Sequence, residues 1–218
     1  MAIDKKLVGV IVKIDSVGAG NLVKSNTENS TERNIERNIY LVGPMGAGKS
    51  TVGRLLAEAL NLTFFDSDHY IEEITGVTIP YIFELEGESG FREREKRAIE
   101  ALTAKEGIIL STGGGAILAE ENRRQLSDNG IVIYLNVSPE VQYERVRFDN
   151  QRPLLQQDDP QAVLEALYLI RDPLYREVAA YTAFSDNIPP KVVVSGIIES
   201  IVQNRSPLPE WLIGSDNR

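Results

Sequence analysis

The chain has 218 residues, of which 42% are hydrophobic and 25% are charged, a composition typical of a globular protein with one substantial core. Its net charge of −9 argues against nucleic-acid binding, which relies on surplus Lys and Arg, and its lack of cysteine excludes disulfides, thiolate metal sites and cysteine nucleophiles. No apolar stretch approaches the ~20 residues that span a bilayer, and Lys13 and Asp15 interrupt the early apolar run, so we expect a cytoplasmic protein rather than a secreted one.

The first 35 residues differ from the rest of the chain. An apolar run, Leu7–Val12, is followed by a polar, Asn-rich segment, Ser25–Asn34, that has no periodicity. Segments of this kind bury too little apolar surface to fold alone. We therefore predict a flexible extension over 1–35, a globular domain over 36–205 and a C-terminal tail over 206–218.

Within the predicted domain, short apolar runs alternate with stretches of helical spacing. The apolar runs predict strands at 38–42, 62–65, 107–111, 130–135 and 182–185. Helices are predicted at 51–60, 88–105, 139–146, 160–181 (kinked or divided at Pro173) and 192–202, with short helices between 68 and 83 broken at Gly76 and Pro80. Strands separated by helices predict a parallel sheet covered by helices.

The segment Gly43–Ser50 matches the phosphate-binding pattern G-x-x-x-x-G-K-[ST]. It lies between a predicted strand and a predicted helix, where backbone N–H groups and the positive end of the helix dipole favour polyphosphate. A chance match in a glycine-containing loop is the alternative, and this context disfavours it. Lys49 is expected to reach the β- and γ-phosphates, and the Ser50 hydroxyl to take one Mg²⁺ coordination site.

Two further segments directly follow predicted strands and so belong at the same edge of the sheet. Asp66 and Asp68 can hold Mg²⁺ through water or accept a substrate hydroxyl, although Asp68 could equally cap the next helix. Gly113–Gly115 would let the backbone approach a ligand closely, although alone it also fits a plain loop.

Arginines in the second half of the sequence are candidates for binding phosphate or carboxylate bidentately. Arg145, Arg147 and Arg152 bracket a polar segment that we predict to be a mobile lid over about 147–160, and Arg171 follows in the next helix. A solvated helix face is the alternative for each of them.

Two residues near the aspartates are also open to more than one interpretation. Arg92 could bind an anion, but its i,i+3 spacing to Glu95 equally fits an ion pair on a surface helix. His69, the sole histidine, is one position from Asp68 and therefore about 100° around a helix from it. We expect His69 to be a surface residue.

The ordered set of motifs resembles the shikimate kinase family over roughly four-fifths of the sequence. The matching segments are Gly43–Thr51, Phe64–Asp68, Phe83–Glu88, Gly90–Glu95, Thr112–Gly115, Arg152–Leu155 and Asp172–Tyr175. The resemblance implies transfer of the ATP γ-phosphate to the 3-hydroxyl of shikimate in aromatic amino-acid biosynthesis. It also implies a three-layer α/β/α fold of the P-loop kinase type, with a five-stranded parallel sheet and a mobile lid.

The resemblance further implies roles for particular residues. The catalytic residues would be Asp68, Lys49 and Arg152. ATP would be bound by Gly46, Ala47, Gly48, Lys49, Ser50, Thr51, Arg145 and Arg152, with Arg145 stacked on adenine. Shikimate would be bound by Asp68, Arg92, Gly113, Gly114, Gly115, Arg171, Phe83, Phe91 and Glu95. Mg²⁺ would be held by Ser50 and, through water, by Asp66. Apart from the resemblance, we expect no nucleic-acid or membrane partner besides ATP and shikimate, and we expect a monomer.

Two other functions remain open at this point. A kinase of related fold could act on another small metabolite, such as gluconate or a nucleoside monophosphate. A nucleotide-dependent regulator could bind ATP without turnover, for which the long N-terminal segment is the support. Whether Asp68 removes a proton or only positions the hydroxyl is likewise open.

Overall fold

A computed structural model of the protein describes residues 38–147 and 159–203. The predicted N-terminal extension, the C-terminal tail and most of the predicted lid, including Arg152, lie outside the described residues. In the part that is described, no helix is long and apolar enough to cross a membrane.

Five strands alternate with helices along the described chain. They are β1 (Asn38–Val42), α1 (Lys49–Leu60), β2 (Thr63–Asp66), α2 (Ser67–Thr75), α3 (Ile79–Thr103), β3 (Ile108–Ser111), a 3₁₀ helix (Ala116–Leu118), α4 (Glu120–Asn129), β4 (Gly130–Asn136), α5 (Pro139–Val146), α6 (Pro160–Val178), β5 (Tyr181–Phe184) and α7 (Pro190–Gln203). The strands form one parallel sheet in the order β2-β3-β1-β4-β5. The predicted three-layer α/β/α fold with five parallel strands is confirmed.

The sheet is buried on both faces, and β1 lies at its centre with no exposed residue. Ile39 and Leu41 point to one face, where they pack in a core cluster with residues of α1 and α7. Tyr40 and Val42 point to the other face, where the core includes residues of α3, α4 and α6. Burial on both faces explains why the strands read as continuous apolar runs in the sequence.

A third, smaller apolar cluster joins α2 to α3. Ile71, Ile82, Phe91 and Ala98 are buried in it, and Phe83 packs against it. This cluster fixes the first half of α3 beside the carboxyl end of β2, where the functional residues of α2 and α3 lie.

The amino-terminal edge of the sheet is closed by a hydrogen-bonded network around the Asn38 side chain. Its Nδ2 donates to the Tyr40 hydroxyl at 2.9 Å and to the Lys105 carbonyl at 2.6 Å, and its Oδ1 accepts from the Ile108 N–H at 3.1 Å. The Tyr40 hydroxyl in turn donates to the Asn129 carbonyl at 3.1 Å. This edge cluster ties β1 to the segments that precede β3 and β4.

Two helix predictions need correction, and one helix was not predicted. Pro80 does not break a helix but lies in the first turn of α3, where its missing N–H costs nothing, and the interruption falls instead at Gly87, whose φ is 69°. The predicted helix over 160–181 ends at Val178, and Tyr181 begins β5. The sequence analysis did not predict α4, because only Asn122 and Leu126 of its ten residues are buried and it therefore has no apolar stripe.

Candidate active site

The phosphate-binding loop between β1 and α1 has the backbone geometry that its glycines allow. Gly43, Gly46 and Gly48 all have positive φ, and a Cβ at Gly43 would overlap the Leu135 carbonyl of the neighbouring strand β4. Among the described residues no side chain caps the start of α1, and its first turn carries no acidic residue. The open N–H groups and the helix dipole are therefore available to an anion.

Lys49 curls back over this loop. Its side chain is largely buried, and its Nζ donates to the Gly43 and Pro44 carbonyls, each at 2.8 Å. The ammonium group thus lies at the mouth of the loop, where it would meet a bound polyphosphate.

Ser50 and Asp66, the two predicted metal-site residues, lie in contact. The Ser50 hydroxyl donates to Asp66 Oδ2 at 2.7 Å and is 3.5 Å from the Ser111 hydroxyl. Asp66 Oδ1 accepts from the Asp68 N–H at 3.1 Å, so Asp66 is the N-cap of α2. The alternative that Asp68 caps this helix is wrong, because Asp68 lies inside the first turn.

The described residues contain no group of three or more His, Cys, Asp or Glu side chains that could hold a metal alone. A hydroxyl beside one carboxylate instead fits Mg²⁺, which keeps several waters and takes few protein ligands.

The glycine run after β3 forms the floor of the predicted acceptor site. A Cβ at Gly113 would lie 2.7 Å from Asp68 Oδ1 and 2.8 Å from Glu95 Oε1, and a Cβ at Gly115 would overlap the Arg92 guanidinium. The Gly113 N–H donates to the buried Ser67 hydroxyl at 2.9 Å. Two carboxylates and an arginine therefore crowd onto a backbone that only glycine can supply here.

Glu95 belongs to the interior and not to a helix surface. Arg92 donates to Glu95 Oε2 at 2.8 Å and to Glu88 Oε1 at 2.9 Å, but the Glu95 side chain is only 1% exposed. The interpretation of Arg92 and Glu95 as a surface pair is therefore wrong. Burial raises the pKa of the Glu95 carboxyl, against the opposing pull of Arg92.

Arg171 approaches the glycine run from α6. It is 8% exposed, and its Nη1 donates to the Gly114 carbonyl at 3.2 Å. Within the described residues, Arg171 Nε and Glu95 Oε1 are buried atoms without a hydrogen-bond partner. A buried donor and a buried acceptor left open beside one backbone segment are a costly arrangement unless a ligand supplies their partners.

Phe83 and Phe91 form an apolar wall next to this floor. Their ring centroids are 4.8 Å apart, and the Arg92 guanidinium carbon lies 5.3 Å from the centre of the Phe91 ring. The wall places flat apolar surface beside charged groups, an arrangement that suits a small ring carrying polar substituents.

Arg145 lies on the other side of the phosphate-binding loop. Its Nη1 donates to the Gly46 carbonyl at 2.9 Å, and its Nη2 donates to the Ser185 carbonyl at 2.5 Å. It borders a cleft between the loop and the segment joining β5 to α7. The cleft is lined by Gly46, Ala47, Gly48, Thr51, Val52, Arg145, Ser185, Ile188, Pro190 and Val193.

Two other candidates lie outside this arrangement. Arg147 is exposed and pairs with Glu144 on its own helix at 3.1 Å. His69 is exposed, as predicted.

The sequence analysis missed several residues that the structure brings to the site. Ser67 gave no signal beyond its position between two aspartates, and Pro190 lies outside the helix that was predicted over 192–202. Tyr175 ends the segment Asp172–Tyr175 that had been matched as a motif, yet no role was attached to it. Its hydroxyl donates to the Gly114 carbonyl at 2.6 Å.

Comparisons with known proteins agree with this geometry. Residues 45–202 match the family model described as shikimate kinase. A shikimate kinase from Dechloromonas aromatica is 57% identical over 167 residues, which cover 77% of this chain and 89% of the relative. One from Haemophilus influenzae is 56% identical over 167 residues, which cover 76% of this chain and 93% of the relative.

A solved structure is also similar over most of the chain. It is that of a shikimate kinase from Acinetobacter baumannii in complex with shikimate, with 50% sequence identity and a TM-score of 0.76. The match covers 79% of this chain and 96% of the solved one.

Proposed function

Because the chain belongs to the shikimate kinase family, and is therefore an ATP-dependent kinase of shikimate in aromatic biosynthesis, we propose that the residues described above transfer the γ-phosphate to the 3-hydroxyl. In this reaction the hydroxyl oxygen forms a bond to the γ-phosphorus, the bond to the bridging oxygen of ADP breaks, and the hydroxyl proton is lost. Charge placement and positioning supply most of the rate in such transfers.

The observation that carries the proposal is the pair of open polar atoms, one on Glu95 and one on Arg171, beside Gly113–Gly115. Glu95 Oε1 offers a buried acceptor and Arg171 Nε a buried donor, while Asp68 Oδ1 lies over Gly113. A small ring with a carboxylate and several hydroxyls complements this set. We propose that Arg92 and Arg171 bind the carboxylate and that Glu95 orients Arg92.

The two remaining contacts of the acceptor follow from the same placement. Asp68 would hold the hydroxyls, including the attacking one, and the wall of Phe83 and Phe91 would pack against the ring. The backbone of Gly113, Gly114 and Gly115 would lie beneath both substrates.

ATP would occupy the phosphate-binding loop and the cleft beside Arg145. Gly46 to Thr51 would donate backbone N–H groups to the phosphates, and Lys49 would follow the negative charge that moves toward the bridging oxygen. Arg145 and Pro190 border the cleft from different segments, which suits a flat base held between them. Arg152 lies outside the described residues, and we propose from its motif alone that it covers the phosphates.

We further propose that Ser50 and Asp66 form the Mg²⁺ site, Ser50 directly and Asp66 through water. The 2.7 Å hydrogen bond from the Ser50 hydroxyl to Asp66 Oδ2 supports this, because it places both oxygens beside the same point in the site. When bound, Mg²⁺ would neutralise phosphate charge during the transfer.

The role of Asp68 is tested by Asp68→Asn, which keeps the size of the side chain and removes its basicity. Loss of a general base lowers kcat by about 10²- to 10⁴-fold. We expect a decrease in that range, and a near-normal kcat would restrict Asp68 to positioning.

The function itself is tested by coupled ADP release with Mg²⁺-ATP and shikimate, run beside gluconate, CMP and no acceptor. We expect turnover with shikimate alone. Turnover with another acceptor in its place would reassign the acceptor site, and no turnover despite ATP binding would favour the nucleotide-dependent regulator.

We also propose that the enzyme is a cytoplasmic monomer that engages neither nucleic acid nor membrane. The net charge of −9 opposes nucleic-acid binding. The domain boundaries predict that a fragment over 36–205 retains activity. A kcat/KM more than about tenfold below that of the full chain, equivalent to ~1.4 kcal/mol, would contradict this.

A further inference from the structure

Tyr175 and Arg171 meet at a single backbone atom of the acceptor site. They lie four positions apart on α6 and therefore on one helix face. The Tyr175 hydroxyl donates to the Gly114 carbonyl at 2.6 Å, and Arg171 Nη1 donates to the same oxygen at 3.2 Å. The shorter of the two hydrogen bonds thus comes from a residue with no role in the function proposed above.

The glycine run depends on such contacts for its position. Gly113–Gly115 has no side chains with which to pack, so its backbone is held by hydrogen bonds from neighbouring elements. The Ser67 hydroxyl holds the Gly113 N–H from α2, and Tyr175 holds the Gly114 carbonyl from α6. Tyr175 is therefore the link between α6, which carries Arg171, and the floor of the acceptor site.

The Tyr175 ring is itself held firmly. It is 2% exposed and stacks on Tyr134 of β4, with the ring centroids 4.9 Å apart. The Tyr134 hydroxyl donates to Asp172 Oδ1 at 2.9 Å, which anchors α6 to the sheet a second time. Burial raises the pKa of the Tyr175 hydroxyl, so the neutral phenol is the form that donates at assay pH.

We propose that Tyr175 is a positioning residue for acceptor binding: by sharing the Gly114 carbonyl with Arg171, it fixes the guanidinium so that the open Nε faces the acceptor carboxylate. This inference rests on the proposed function of Arg171. Without the hydroxyl, the longer bond from Arg171 is the one the carbonyl keeps among the described residues, and the guanidinium gains freedom that binding of the carboxylate must then remove.

The test compares Tyr175→Phe with Tyr134→Phe in the full-length enzyme. Both changes remove one hydroxyl from the same buried stack and keep both rings, so both should lower Tm by a similar amount. Tyr175→Phe should raise the KM for shikimate about five- to tenfold, the effect of one lost hydrogen bond. Its kcat should stay within about twofold, and its KM for ATP should not change. Tyr134→Phe should leave all three constants unchanged.

A double variant distinguishes positioning of Arg171 from a general loosening of the site. If Tyr175 acts through Arg171, Tyr175→Phe should add no further rise in shikimate KM once Arg171→Ala is present. Tyr175→Phe alone should likewise have no effect on the KM for shikimate carboxamide, because this compound lacks the carboxylate that Arg171 binds.

The inference is overturned if Tyr175→Phe leaves the shikimate KM unchanged, or if Tyr134→Phe raises that KM as much as Tyr175→Phe does. Either result leaves the proposed function intact. Failure of the wild-type enzyme to phosphorylate shikimate overturns the proposed function itself.

Discussion

The two edges of the sheet use polar residues in opposite ways. At the amino-terminal edge, both polar atoms of the buried Asn38 side chain have hydrogen-bond partners, and so does the Tyr40 hydroxyl. At the carboxyl-terminal edge, Glu95 Oε1 and Arg171 Nε are buried without a partner in the described parts of the chain. One edge is complete as folded, whereas the other is complementary to something that the chain does not itself supply.

This difference separates stability from function within one sheet. Satisfied buried networks stabilise a fold, whereas open polar atoms cost free energy that a bound substrate recovers. Changes at the amino-terminal edge should therefore alter the free energy of unfolding and spare catalysis. Changes at the carboxyl-terminal edge should impair catalysis or substrate binding and alter the free energy of unfolding less.

The largest effect is expected from Lys49→Ala. Removing a charge that stabilises the transferring phosphate should lower kcat by about 10²- to 10³-fold. The free energy of unfolding should change little, as measured by urea denaturation. Lys105→Ala is a matched control, since it removes an exposed lysine near the opposite edge and should leave kcat unchanged. A comparable loss of activity in both variants would contradict the assignment of catalysis to the carboxyl-terminal edge.

Asn38→Ala should destabilise the fold most. It leaves the Ile108 N–H and the Lys105 carbonyl without their side-chain partner, at a cost of roughly 2–4 kcal/mol. Urea denaturation should reveal this loss, while kcat and both KM values stay normal at temperatures where the variant is folded. Asn129→Ala, an exposed change on α4, is the control and should have little effect on stability. The separation of the two edges fails if Asn38→Ala impairs steady-state kinetics in the folded protein.

Arg171→Ala should weaken acceptor binding without a matching loss of stability. A hydrogen bond to a charged group contributes about 1.5–3 kcal/mol, so the KM for shikimate should rise about 10- to 100-fold. Arg176→Ala removes the same charge from the same helix but points elsewhere, toward Asp172, and should leave this KM unchanged. The assignment of Arg171 is wrong if its variant instead raises the KM for ATP alone.

The position of the site at the carboxyl-terminal edge of the sheet could be predicted from the sequence, but the burial of Glu95 within it could not. The predicted strand ends at Val42, Phe65 and Ser111 indicated which segments meet, because parallel strands bring their carboxyl ends to one edge. Glu95 stands in the charged segment Phe91–Glu95 and gave no sign of being interior. Its burial comes from packing against a glycine run almost twenty positions away, which local periodicity does not report.

Helix boundaries were missed for related reasons. The ten residues of α4 bury just Asn122 and Leu126, so tertiary contacts and not an apolar stripe place this helix. Asp66 and Asp68, two positions apart, could each cap a helix, and the choice of Asp66 over Asp68 follows from where β2 ends.

The smallest effect is expected in the pH dependence of stability, through Glu95. Because the folded-state pKa is raised above the ordinary value of 4.5, the folded protein binds more protons than the unfolded chain above that pH. Stability of the wild type is therefore lost as the pH rises from 4.5 through the folded pKa, and Glu95→Gln lacks this loss. The difference in the free energy of unfolding should shift in favour of Glu95→Gln across that window. If the difference in the free energy of unfolding between the wild type and Glu95→Gln does not vary with pH, burial does not raise the pKa of Glu95 and the prediction is wrong.

The order of the strands also determines when the protein can become active during its synthesis. The central strand β1 is the first of the five along the chain, yet Ile39 pairs with Ile109 of β3 and with Ile131 of β4. Gly43 rests against Leu135, near the end of β4. A nascent chain that has already released the phosphate-binding loop and α1 from the ribosome therefore lacks both neighbours of β1. Such distant pairings form slowly, so the nucleotide site matures late. The apolar central strand lacks its first neighbour until about seventy further residues are made, and its second until more than ninety are made.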